Sequence, residues 1–325
     1  MNPWIAPTWI AASILVTCNL GVANAQEAAS FASVQIQTNG AVELGIHAPT
    51  GFLYRVETSA DLQTWSGVST IAGSAKTVSL TAASKVLEGS RFFRAVSNTD
   101  PLALTGDHFP TETGELTVHP VNHATFIVRW ENTIVYNDPV GDAALYQGIP
   151  KPDLILVSHS HGDHFNAARL DALQREGTRI LAPAAVYSSL SAKLKLITIP
   201  IANGQSTNVH GVQIDAIPAY NANHPKGVGN GYVLGFGGKR VFISGDTGNI
   251  AEMRALLDID IAFVCMNVPF TMTIPEAVAA VRSFRPGTLY PYHYRNQDGS
   301  MADLHSLRRQ LSDLNQVEVR LRAWY

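Results

Sequence analysis

The sequence predicts an α/β domain preceded by a small all-β sandwich. Two observations carry this expectation. Residues 31–96 hold short alternating runs broken by Gly, Pro and Asn, without a long helical period. Beyond residue 115, apolar strand-like runs alternate with helical stretches. A chain of 325 residues suits about two domains on a soft prior of roughly 150 residues each. With 46% hydrophobic and only 15% charged residues, each half has enough apolar material for its own core, and disorder is excluded. A formal net charge of −3 supplies no general field for phosphate backbones, so nucleic acid is not an expected partner.

The first apolar run, Trp9 to Val22, is shorter than the roughly 20 residues of a membrane-spanning helix. It ends in Ala23-Asn24-Ala25, the small-x-small pattern of a leader cleavage site, although no Lys or Arg precedes the run. A signal peptide over 1–25 is therefore expected, with an exported mature chain that lacks a transmembrane segment. Thr17 is a poor neighbour for a lipid-anchoring Cys18, which favours simple cleavage. Cleavage leaves Cys265 as the sole cysteine and allows no intrachain disulfide. In Ile261-Ala-Phe-Val-Cys-Met266 it reads as a small buried hydrophobe, not a nucleophile.

The sandwich is expected over residues 30–97. Val34-Gln-Ile36 and Tyr54-Arg-Val56 alternate, and Trp65, Phe92 and Phe93 are candidate core or edge aromatics. The stretch from Tyr54 to Trp65, followed by Arg91-Phe-Phe-Arg94, resembles β-sandwich modules attached to exported bacterial proteins. Such a module serves as a spacer, or contacts a polymer or the envelope through an exposed aromatic. Residues 98–114, punctuated by Pro101, Gly106, Pro110 and Gly114, read as a turn-rich connector.

The second domain is expected over 115–325. Strands are predicted at 124–128, 133–137, 153–157, 212–218, 241–244, 261–266 and 288–291, with helices at about 166–175, 250–257 and 275–284.

Directly after the apolar strand Leu154-Ile-Leu-Val157 comes His159-Ser-His-Gly-Asp163-His164. Three histidines and an aspartate within six positions form the densest concentration of metal-ligand chemistry in the chain. Side chains two apart on extended backbone share a face, so His159 and His161 can hold one ion while Asp163 and His164 point toward a second. Neutral imidazole and carboxylate suit zinc and other first-row divalent ions. Further ligands belong just past other strands, where His224, Asp246 and His293 stand. His210 precedes its strand and is rejected; His47, His108, His119 and His305 lack a partner at ligand spacing and read as structural or solvated.

The ordered set His159, His161, Asp163, His164, His224, Asp246 and His293 resembles the binuclear metal site of the metallo-β-lactamase superfamily, over nearly all of 115–325. The resemblance implies a four-layer αββα sandwich holding two divalent ions: Zn2+, with Mn2+ and Fe2+ as other fits. It assigns His159, His161 and His224 to one ion and Asp163, His164 and His293 to the other, with Asp246 shared. Asp138 matches the aspartate that braces the metal loop. Asp246 stands where true zinc β-lactamases carry cysteine, which disfavours antibiotic hydrolysis and resembles branches acting on esters, lactones, thioesters and phosphodiesters. Flavin-linked diiron reduction in this fold usually has an acidic residue where His161 stands. The phrases His123-Ala-Thr-Phe126, Ala219-Tyr-Asn-Ala-Asn-His-Pro-Lys226 and Pro291-Tyr-His-Tyr294 are similar to the group containing ascorbate-6-phosphate lactonase and N-acyl-phosphatidylethanolamine phospholipase D.

The implied activity is hydrolysis of an ester, lactone or related acyl bond in a small-molecule or lipid-like substrate. A metal-bridging hydroxide is the nucleophile, and Asp163 orients it and accepts its proton. A lipid or nucleotide phosphodiesterase keeps the same metals and is the nearest alternative; a protein that holds metal without catalysis is a further one. No Ser nucleophile is required, so Ser158 and Ser160 read as loop residues. His123, Tyr220, Lys226, Tyr292, Tyr294 and Arg295 are candidate substrate contacts, and Asn267 to Met272 is a candidate pocket wall.

Overall fold

A computed structural model describes residues 14–16, 29–37, 41–83 and 91–325, which fall into two compact units divided between Pro110 and Thr111. Of the leader expected over 1–25, only Ile14–Val16 is described, as a short strand parallel to Arg91–Phe93. Cys18 and the Ala23-Asn24-Ala25 motif lie outside the described residues. No helix among the described residues is long and apolar enough to cross a membrane.

In the first unit, Ser30–Ile36, Val42–His47 and Val78–Ala83 form an antiparallel three-stranded sheet. Leu53–Ser59 lies between Ser66–Ala72 and Arg91–Asn98 in another. Strand alternation turns Leu44 and Ile46 from the first sheet, and Tyr54, Val56 and Phe93 from the second, into one buried cluster. Trp65 is partly exposed. The Arg94 guanidinium lies 4.2 Å from its ring centroid, and its indole N–H donates to Leu62 O.

The expected connector differs from its turn-rich reading. Gly106–Thr111 is a strand paired with Ser66–Ala72, and Asp107 and His108 are buried. Gly106 and Pro110 bracket a short alternating run, so two turn-prone residues masked a strand. His108 is structural: it meets Thr70 Oγ1 at 2.9 Å and the Arg55 guanidinium at 3.1 Å.

The second unit contains two sheets. One runs Gly114–Asn122, Thr125–Trp130 and Thr133–Asn137 antiparallel, then Leu154–Leu156, Arg179–Ala182 and Thr198–Pro200 parallel. The other runs Ser206–Val209, Val212–Ala219, Gly229–Phe236 and Lys239–Ile243 antiparallel, then Ile261–Cys265, Thr288–Tyr292 and Glu318–Val319 parallel. Phe126 of the first sheet stacks on Phe263 of the second at 3.9 Å between centroids. Such an aromatic pair adds about 0.5–1.5 kcal/mol beyond the area it buries. Helices follow the parallel strands, completing the αββα order. The longest, Ile274–Phe284, starts with a Thr273–Glu276 capping box and buries Ala277, Val278, Ala280, Val281 and Phe284 on one face. The helix expected near 250–257 is only the single turn Ala251–Arg254, which ends at Ala255, and Leu257 beyond it is exposed. Parallel strands of both sheets end toward the same edge, and their following loops carry the titratable cluster.

Candidate metal centre

Asp138 follows Asn137, His159 follows the Leu154–Leu156 strand, Asp246 follows Ile243, and His293 follows Tyr292. His224 comes from the loop between Val212–Ala219 and Gly229–Phe236. Three of the loop residues, His123, Asp138 and His293, adopt left-handed backbone with φ of 55°, 41° and 49°. For residues with a Cβ this costs about 1–2 kcal/mol each. Gly245 is also left-handed at φ 59°, and a Cβ there would stand 2.7 Å from Asn230 O, so the turn that presents Asp246 requires glycine.

The seven side chains converge as two adjoining clusters. In one, His159 Nε2 lies 3.1 Å from His161 Nδ1, and the His224 ring is about as close to both, at 5.1 and 5.0 Å between centroids. In the other, His293 Nε2 is 2.9 Å from His164 Nε2 and 3.4 Å from Asp163 Oδ2. Asp246 stands between. Its Oδ1 lies 3.3 Å from His164 Nε2 and 3.5 Å from His293 Nε2, while its Oδ2 lies 3.5 Å from His224 Nε2.

Hydrogen bonds behind the cluster fix which imidazole nitrogen faces inward. Asp138 is wholly buried and accepts from Ser158 N–H, Ser158 Oγ–H and His164 Nδ1–H, at 2.7, 2.7 and 2.8 Å. With its one hydrogen given to Asp138, the Ser158 hydroxyl accepts from His159 Nδ1–H at 3.0 Å. Asn221 Oδ1 accepts the Nδ1–H of His224 at 3.0 Å. His159, His164 and His224 therefore all aim Nε2 lone pairs into the site.

Electrostatics favour the same protonation states. Burial, reinforced by His164, pushes His159 down to about 2, and burial also lowers His224, so both stay neutral. Burial opposes the charge on Asp246, but His293 and His164 outweigh it and hold the carboxyl below the usual range. Burial likewise opposes the charge on Asp163, which hydrogen bonds to His123 and His293 overcome. His164 is the exception. Burial disfavours its charge, yet Asp246 and Asp138 raise it well above the ordinary imidazole range. A field that draws a proton into a sealed position also draws a cation.

A divalent ion fits these residues on local grounds. Asp246 Oδ1 is buried and has no hydrogen-bond partner among the described residues. His164 and His293 meet Nε2 to Nε2 at 2.9 Å, a separation at which a positive centre, either a proton or an ion, must lie between the two nitrogens. Groups whose ligand atoms lie within 4.8 Å of one another are His159, His161 and His224; His159, His164 and Asp246; and His123, Asp163, His164 and His293.

His123 braces Asp163. Its Nε2–H donates to Asp163 Oδ2 at 3.1 Å. Burial lowers its pKa, partly offset by Asp163, so the ring is neutral and Nδ1 accepts from the Tyr325 hydroxyl at 2.8 Å. Tyr292 was a candidate substrate contact, but it is fully buried against Phe126, Phe263 and Trp324 because strand alternation sends it to the core. Tyr294 also packs inside, its hydroxyl donating to Arg322 O. Arg295 covers the Tyr325 ring at 4.1 Å. Lys226 pairs with Glu252 at 2.5 Å, and Tyr220 donates to that carboxylate at 3.1 Å. His210 is remote from the cluster, against Gly177 O. Sequence reasoning missed the positioning contacts of Ser158, Asn221 and Tyr325. Asn221, three residues before His224 in a turn, carried a readable signal as a side chain that caps its own loop.

A family profile described as a beta-lactamase superfamily domain matches residues 133–294, the span from just before Asp138 to just after His293. A metal-dependent hydrolase of Thermococcus onnurineus is 31% identical over 175 residues, 51% of this chain and 78% of that protein. One from Pyrococcus abyssi is 29% identical over 215 residues, 61% of this chain and 93% of the relative. The crystal structure of a protein described as a metal-dependent hydrolase from Parabacteroides distasonis superposes with a TM-score of 0.60 at 37% identity, over 68% of this chain and 99% of that one.

Proposed function

Because this chain belongs to the metallo-β-lactamase superfamily of metal-dependent hydrolases, we propose that it takes two divalent ions, Zn2+ foremost, and hydrolyses an ester, lactone or related acyl bond. The split carboxylate of Asp246, one oxygen toward each histidine cluster, carries the binuclear reading. His159, His161 and His224 would hold one ion and Asp163, His164 and His293 the other. Bound there, such a pair would supply Lewis acidity and would lower the pKa of a water molecule to about 7.

The chain's own residues do the rest. Asp138 and Ser158 hold the imidazoles in the tautomer that ligation needs. His123 occupies one oxygen of Asp163, leaving the other to orient water and receive its proton. Two adjoining cavities, of about 40 and 210 Å3, open over the cluster. No Lys or Arg lines either among the described residues, and Lys226 is already engaged by Glu252. A wall including Val228 and Phe270 with no free cation suits a neutral or apolar acyl substrate better than an anionic phosphodiester. Chelator-sensitive turnover of lactones and p-nitrophenyl esters, with little turnover of bis-p-nitrophenyl phosphate, is the expected result. The reverse preference would replace this reading with a phosphodiesterase.

Ala23-Asn24-Ala25 supports a further proposal that the chain is exported. A mature amino terminus at Gln26 is expected, and an unprocessed protein in the cell interior would refute it.

A further inference from the structure

Asn267 sits two residues past the Ile261–Cys265 strand and lines the larger cavity with His161, Asp163, His224 and Asp246. Only 4% of it is exposed. Its backbone N–H donates to Thr271 Oγ1 at 2.8 Å, and the Thr271 hydroxyl returns a hydrogen bond to the Asn267 side chain at 2.6 Å. That separation is short for an amide N–H donor and ordinary for O–H···O, which fixes the accepting atom as Oδ1. Nδ2 has no hydrogen-bond partner among the described residues and is not one of the fully buried unpartnered atoms, so it reaches accessible surface on a residue that lines this cavity. An amide donor held in one orientation at the cavity wall beside the ligand cluster is placed to serve an acceptor that enters the cavity.

We propose that the Asn267 side-chain amide is a catalytic hydrogen-bond donor, meeting the substrate oxygen that gains negative charge during acyl hydrolysis. The inference rests on the acyl-hydrolase reading above. Addition of water forms a C–O bond at the carbonyl carbon and moves the π pair onto the carbonyl oxygen. Return of that pair breaks the bond to the leaving oxygen, which takes up the proton that water released. Asn267 donates to the oxygen carrying the extra pair between these events, and Thr271 holds the amide in that orientation beforehand.

The test compares wild type with Asn267→Ala and Asn267→Asp. Asp keeps an acceptor for Thr271 Oγ1 but removes the N–H. Metal content is measured first, then kcat and KM on the ester or lactone that wild type turns over, then phenylphosphonate binding by calorimetry. Loss of one oxyanion donor predicts a fall in kcat of about 10²–10³-fold, KM within about twofold and unchanged metal content. Phenylphosphonate, a tetrahedral anion, should bind at least about tenfold more weakly to both variants. Unchanged kcat, or loss explained by lost metal, would overturn the proposal. Should wild type hydrolyse no acyl substrate, the acyl reading fails on its own, and equal phenylphosphonate binding by wild type and both variants would then overturn the role of Asn267.

Discussion

Asp138 Oδ2 accepts the Nδ1–H of His164 at 2.8 Å, with both side chains wholly buried. The same carboxylate takes two hydrogen bonds from Ser158, whose hydroxyl in turn receives His159 Nδ1–H. One aspartate thus sets the tautomer of a histidine in each cluster. Replacement by Ala should weaken metal affinity by about 10–100-fold, the range for loss of a group orienting a ligand. Competition with a chromophoric chelator measures it. Wild-type affinity in Asp138→Ala would remove this residue from the account.

Tyr325→Phe removes the hydroxyl that donates to His123 Nδ1. The His123 ring is then free to exchange tautomers, and Asp163 loses a fixed donor for part of the time. The expected result is several-fold weaker binding of the ion next to His164 and His293, with the other ion retained. Sequential chelation, followed by metal analysis at each step, separates the two. Loss of both ions together would place the defect elsewhere.

Burial pushes the Cys265 thiol up to about 11, from an ordinary value near 9. The folded state therefore favours the neutral thiol. Below pH about 9 the thiol is neutral in folded and unfolded chains and adds no pH dependence. As pH rises through 9 toward 11 the unfolded thiol ionises first, so folded stability declines over that interval. Native protein at pH 8 should resist iodoacetamide at Cys265 and be alkylated only in denaturant. Rapid native alkylation would contradict the burial argument.

The candidate metal loop was legible because its chemistry is local: His159, His161, Asp163 and His164 stand within six positions. His224, Asp246 and His293 could be chosen because each follows a strand, and strand ends share an edge. Contacts decided by three-dimensional packing were not legible. Ser158 reads as a loop residue until Asp138, 20 positions earlier, is found against it. Tyr292 and Tyr294 flank His293 in sequence, yet packing takes them into the interior. His123 reaches Asp163 and Tyr325 across 40 and 202 positions, pairings that no local spacing announces. In the connector, Gly106 and Pro110 mimicked turns because local propensity cannot register that Ser66–Ala72 offers a pairing edge.

Lys226→Ala should change kcat/KM for a neutral ester by less than about twofold, since its ammonium already serves Glu252 and lies against the Tyr220 ring at 4.8 Å. Steady-state kinetics on neutral and anionic esters checks this. A tenfold loss confined to the anionic ester would show that the lysine leaves Glu252 to bind substrate.

Metal content per chain, determined alongside turnover for wild type and Asp246→Ala, tests the central claim most directly. The account predicts two divalent ions in active wild-type protein, and in the variant a joint fall in occupancy and rate, because both clusters lose the carboxylate between them. Two ions and full turnover in Asp246→Ala, or an active wild-type enzyme holding none, would contradict it.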